Sequence, residues 1–142
     1  MLKLEKVNPY LLFLPFLFLY LLFVILFRDG SLVGDEGRYY FFAENLCNGF
    51  FSPPLPDINL DNGPGLPLIL AFFVKLGISF QWARLLNPFF LYLAVVFIFK
   101  TCNLFLDFKK SLFLACFFAC YYPFYQYLLI LYSEIISIFL VT

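Results

Sequence analysis

Residues Tyr10 to Phe27 form an unbroken run of 18 residues without a charged side chain. A helix of that length extends about 27 Å, just enough for the hydrocarbon core of a bilayer. Lys3 and Lys6 precede the run and Arg28-Asp29 follow it. A signal peptide also begins with positive charge. Its apolar region is shorter, however, about 7–15 residues, and ends at a small-residue cleavage site. The run is therefore read as an uncleaved first transmembrane helix (10–27), with Pro15 a candidate kink that neighbouring helices can absorb.

The rest of the chain agrees with a membrane setting. Only 13% of the 142 residues are charged, against 64% hydrophobic, whereas a soluble domain carries about 25% charged residues. Net charge is zero and histidine is absent. No basic patch for nucleic acid exists, and no imidazole for metal or proton-transfer work. The cysteines at 47, 102, 116 and 120 show neither C-x-x-C nor zinc spacing. They read as small packing residues.

Residues 28–83 form the predicted loop. Residues 28–64 of it are the sizeable polar stretch of the chain, and the positive-inside rule places this loop outside, with the N-terminus in the cytoplasm. Within it, 35–47 reads as a short juxtamembrane helix. Asp35 is the expected N-cap, and Tyr39, Phe42, Ala43 and Leu46 recur as an apolar stripe; the stripe should lie along the membrane surface. Asn48-Gly49 ends it. Residues 51–67 are dense in Pro, Gly, Asn and Asp and read as loop. Within them, Gly63-Pro64-Gly65 permits close backbone approach.

The apolar stretch 66–78 covers only about 20 Å as a helix, too short to cross. Read as a second juxtamembrane helix, it leaves 85–106 as a second span running inward. Lys100, Lys109 and Lys110 then cluster on the cytoplasmic side, as the positive-inside rule requires. A third span, 111–132, returns outward with a bend marked by Pro123 and Gln126. Residues 135–142 begin a fourth that stops mid-helix, so the chain reads as part of something larger. The predicted fold is all-α and polytopic.

That topology places Glu134 on the same external face as Asp35 and Glu36, and predicts three carboxylates around one polar site. A carboxylate between apolar runs usually faces a cavity or a partner. Asp35, at a helix N-terminus, is favoured in its charged form as a hydrogen-bond acceptor or general base. Arg38, one turn on, is placed to pair with it or with a phosphate. Tyr39 and Tyr40 suit interface anchoring or ligand contact. Arg84 and Lys75 are candidate phosphate-binding groups, with snorkelling the plainer role. Glu44 and Asp57 read as solvated charges, and Asp61 as shaping the adjacent turn.

The motifs in order are Asp35-Glu36-Gly37-Arg38-Tyr39, Asn48-Gly49, Asn62-Gly63-Pro64-Gly65-Leu66-Pro67, Leu76-Gly77, Arg84 and Glu134. This series resembles the N-terminal part of the GT-C glycosyltransferases of family 39, which include the protein O-mannosyltransferases and the lipid A aminoarabinose transferases. The resemblance implies transfer of a sugar from a polyprenyl-phosphate donor to an acceptor on the external side of the plasma (inner) membrane. It assigns Asp35 as the base or acceptor-orienting group, with Glu36 catalytic beside it. Arg38, Tyr39, Glu134 and the Gly63-Pro64-Gly65 turn would shape the site. A departing phosphate needs positive charge, from Arg, Lys or a metal ion, and no metal-ligand set is evident. The aminoarabinose transferases carry a Glu-Lys-Pro-Pro-like element where this chain has Asp61-Asn62-Gly63-Pro64-Gly65-Leu66-Pro67. The resemblance therefore does not extend to their acceptor. The expected partners are membrane lipid, the donor lipid and the remainder of such an enzyme. The rival reading is a non-enzymatic polytopic protein, either a transporter or flippase piece or a small scaffold subunit.

Overall fold

The computed structural model describes residues 7–58, 60 and 62–142. Lys3, Lys6 and Asp61 lie outside the described residues. Every regular element among those described is a helix: α1 (Pro9–Leu12), α2 (Leu14–Phe27), α3 (Glu36–Cys47), α4 (Gly65–Lys75), α5 (Phe80–Ala83), α6 (Leu86–Phe105), α7 (Phe108–Ala119), α8 (Tyr122–Leu128) and α9 (Ser133–Val141).

The centre is α6. Its 20 residues extend about 30 Å, and Leu91, Ala94, Val95, Val96 and Phe99 are buried under α2, α7 and α9. With α5 it forms a stretch, Phe80–Phe105, that is long and apolar enough to cross a membrane. α2 and α7 run antiparallel to α6. Tyr92 Oη donates to the Tyr10 carbonyl at 2.7 Å, and Lys100 Nζ lies 5.7 Å from the Tyr10 ring. Tyr10 thus lies against α6 between Tyr92 and Lys100, and Phe13 follows against Phe99 with ring centroids 5.3 Å apart. Fully buried Ala94, Ala115 and Ala119 keep side-chain bulk out of these contacts.

Two of the predicted continuous spans are broken, each beside a proline. In the first, α1 ends at Leu12 and α2 begins at Leu14, with Pro15 in its first turn. In the predicted 111–132 span, α7 stops at Ala119 and α8 begins at Tyr122, with Pro123 in its first turn. Proline lacks the amide that a continuing helix requires and is tolerated in a first turn, where that amide would be orphaned anyway. The carbonyl that Pro123 would have paired with, Ala119, accepts Tyr20 Oη instead at 2.7 Å.

The 28–83 segment leaves and returns at one end of these helices. Arg28, just after α2, stacks 4.3 Å over Trp82 of α5, and Gln81 Nε2 donates to the Gly30 carbonyl at 3.4 Å. Between them α3 packs on α4 around Ala43, Leu66, Leu70, Ala83 and Leu131. The predicted apolar stripe on α3 therefore faces α4, with Phe42 stacked on Phe51 at 4.7 Å. α4 stops at Lys75, short of the predicted 78, because Gly77 at φ +67° closes it. The amides of Gly77 and Ile78 turn back onto the Val74 and Phe73 carbonyls, both at 2.9 Å, a Schellman closure.

Candidate functional site

The Asp35-Glu36 turn is shaped by its neighbours. Gly34 has φ +58°, and a Cβ there would collide with the Tyr132 hydroxyl. The chain then enters α3 with Asp35 at the N-cap position. Its side chain makes no capping bond, contrary to the expected role. It is half-exposed and sits 3.4 Å from the Arg38 guanidinium.

Glu36 turns the other way. It is fully buried and accepts from Arg84 Nε at 2.9 Å and Nη2 at 2.7 Å, from the Val33 amide at 2.8 Å and from the Leu131 amide at 2.6 Å. Arg84, also buried, completes its fork with the Asp29 carbonyl and with the Ser31 carbonyl at 2.7 Å. Its guanidinium lies 5.3 Å from the Phe80 ring. Taking two charges out of water is costly, and only a bidentate pair with its remaining valences satisfied offsets that cost. Each charge here meets that condition.

This corrects two expectations. Glu36 is not an open carboxylate beside Asp35, and Arg84 is not a free phosphate ligand, because each saturates the other. Of the three carboxylates expected around one polar site, Glu36 is turned inward onto Arg84. Among the described residues, no three His, Cys, Asp or Glu side chains gather as a metal site.

The turn is laid against the connector into α9 at three successive positions. Leu131 reaches Glu36, Tyr132 covers Gly34, and Ser133 Oγ lies 3.3 Å from Tyr39 Oη. Glu134 follows in the first turn of α9, half-buried and without an ion pair among the described residues. Tyr39 and Ser133 form one wall of a cleft of about 440 Å³, with Gly63 and Gly65 at the start of α4 and Ser137 on α9. Pro64 stands between those glycines at the N-cap of α4. Lys75 lies elsewhere, exposed in a separate hollow with Leu46, Cys47 and Phe72.

Ahead of the turn, Asp29 accepts from the Ser31 hydroxyl at 2.9 Å and the Ser31 amide at 3.3 Å. These bonds, the hydroxyl first, hold its carboxyl below the usual aspartate range.

Sequence reasoning missed Asn87. Buried at the head of α6, its side-chain amide donates to the Ile130, Tyr127 and Leu128 carbonyls at 2.8, 3.1 and 3.3 Å. It thereby closes the irregular turn after α8. The signal was present: a polar amide opens a long apolar run directly before Pro88. For Tyr132 and Ser133 nothing in the local sequence pointed to Gly34 and Tyr39, 98 and 94 residues earlier. No family model, curated protein or solved structure matches this chain.

Proposed function

We propose that this chain is a polytopic membrane protein forming the N-terminal part of a GT-C-type glycosyltransferase, with Asp35 as the acceptor-activating carboxylate. The observation that carries the reading is the opposed orientation of the Asp35-Glu36 pair. Glu36 is locked inward on Arg84, and Asp35 is thereby presented at the surface on a backbone held from both sides. Rigid support of an accessible group is what positioning catalysis requires. A glycosyl phosphate already has a good leaving group, so the protein's task is to orient the acceptor and take its proton. The acceptor oxygen attacks the sugar anomeric carbon, the bond from that carbon to the phosphate oxygen breaks, and Asp35 takes the proton. With Arg84 occupied, Arg38 is the cation beside Asp35 for the departing phosphate.

The membrane reading rests on the outward faces. α2 exposes Phe18, Leu19, Leu22, Ile25 and Leu26, and α7 exposes Phe113, Leu114 and Phe117. A helix apolar on every side, as α2 is, and the apolar outer face of α7 beyond Lys110 belong in lipid or under further helices. The N-terminus is assigned to the cytoplasm and residues 28–83 to the external face of the plasma membrane.

Membranes containing the complete protein, supplied with a polyprenyl-phosphate-linked sugar, test the assignment. Asp35→Asn should lower transfer by roughly 10²–10⁴-fold with membrane insertion intact. Unchanged transfer would remove Asp35 from the chemistry. The second reading, a non-enzymatic scaffold subunit, draws on the mutual neutralisation of Glu36 and Arg84, which needs no substrate to explain it. Absence of transfer by the complete wild-type protein across polyprenyl-phosphate sugars would favour it.

A further inference from the structure

At the end of the molecule remote from Asp35, the turn joining α6 to α7 carries a hollow of about 360 Å³ walled by Leu106, Lys109, Lys110, Phe113 and Leu114. Its lysines differ in state. Lys110 Nζ is 3.0 Å from the Asp107 carboxylate, whereas Lys109 has no ion pair among the described residues and is exposed. Asp107 is committed as the N-cap of α7, accepting from the Lys110 amide at 3.0 Å. The hollow therefore carries a net positive rim.

The rim continues into an apolar track. Phe113 and Phe117 stand one helical turn apart on the outer face of α7, both exposed, with rings 23° from parallel and centroids 6.5 Å apart. Leu104 and Phe105, at the end of α6, are more exposed still. A soluble anion would leave this track bare, and a neutral lipid would leave Lys109 without a counter-ion. A molecule with a negatively charged head and an acyl chain satisfies both at once.

We infer that the α6–α7 turn binds an anionic phospholipid, its phosphate against Lys109 and Lys110 and one acyl chain along Phe113 and Phe117. Lysine ammonium groups at a membrane surface attract anionic headgroups, and their stems lie along the apolar wall. The inference rests on the membrane reading of the fold and not on glycosyl transfer. It concerns the face opposite the Asp35 turn.

The test uses the full chain in nanodiscs made from phosphatidylcholine alone or with phosphatidylglycerol. Lipids retained by the protein on gentle detergent release are identified by native mass spectrometry. Wild-type protein should retain phosphatidylglycerol over phosphatidylcholine. The Lys109→Gln/Lys110→Gln variant should lose that preference by roughly tenfold, and Lys109→Arg/Lys110→Arg should keep it. Equal retention of the two lipids by the wild type would overturn the inference. So would a preference that survives the double glutamine variant. Displacement of the bound lipid by soluble glycerol phosphate at matched concentration would overturn the lipid as occupant. Recovery of the wild-type chain in neither kind of nanodisc would overturn the membrane reading beneath it, with the Asp35 assay unaffected by the lysine changes.

Discussion

Tyr20 Oη donates to the carbonyl of Ala119 at 2.7 Å across 99 residues of sequence, and it occupies the position that the missing amide of Pro123 would have filled. A side chain in the first apolar run thus completes a helix end in the third. Buried backbone carbonyls without water must find such partners.

Replacing Tyr20 by Phe should therefore destabilise the protein by about 1 kcal/mol, seen as a lower midpoint in a detergent melt. Pro123→Ala supplies an amide for the same carbonyl. The Tyr20→Phe loss should shrink in that background, and purely additive losses would refute the substitution of one donor for the other.

Breaking the ion pairs of the two adjacent acidic residues should cost very different amounts. Removing Arg84, as Arg84→Met, leaves Glu36 charged and buried without its partner, which costs roughly 3–5 kcal/mol. Glu36→Leu combined with Arg84→Met should recover much of that, since an apolar pair needs no desolvation offset. Asp35→Asn breaks only an exposed contact with Arg38, worth at most about 1 kcal/mol. Melting midpoints of the variants check this directly. A large loss for Asp35→Asn would show that its role is structural.

Gly34→Ala should lower stability for two reasons that can be separated. Its φ of +58° strains any side chain, and its Cβ would meet the Tyr132 hydroxyl. Tyr132→Phe in the same background removes the hydroxyl collision and leaves the backbone strain, about 1 kcal/mol, together with a tight contact to the ring carbon Cζ at 3.3 Å. A Gly34→Ala protein as stable as the wild type would mean that the turn is not pinned against the α9 connector.

The Asp29 carboxyl should titrate below the ordinary aspartate range because of its bonds from Ser31, the hydroxyl first, and from Gly30. Its folded value lies below its unfolded one. Its contribution to stability is therefore present above the ordinary aspartate range and lost as pH falls through the folded value. Carbon-13 NMR of labelled aspartate should show the Asp29 resonance moving at higher pH in Ser31→Ala than in the wild type. An unshifted titration would remove the Ser31 hydroxyl as the cause.

Much of the local structure was legible. The Asn48-Gly49 stop, the apolar face of α3 and the shortness of 66–78 follow from glycine and 3.6-residue periodicity, which act within a turn or two; Pro15 and Pro123 marked a kink and a bend, where the structure breaks the helices outright. The site was legible only as an address. Asp35, Glu36, Arg38, Tyr39, Gly63, Gly65 and Glu134 do lie at one end of the molecule, but the roles of Glu36 and Arg84 were misjudged. Sequence marks a charge beside an apolar run as needing a partner without saying which.

The amino-acid sequence by itself determined the helical class, the apolar segments and the prolines at which two of them deviate. Those properties depend on side-chain polarity and on backbone groups a few residues apart. Only the tertiary structure decided that Glu36 spends its charge on Arg84, 48 residues away, leaving Asp35 facing out. Two neighbouring carboxylates of nearly equal chemistry were separated by which one met a buried guanidinium, Glu36 on Arg84, while Asp35 has only the exposed Arg38 beside it. That is settled by how α3, α5 and the 131–133 connector pack, not by anything local to the pair.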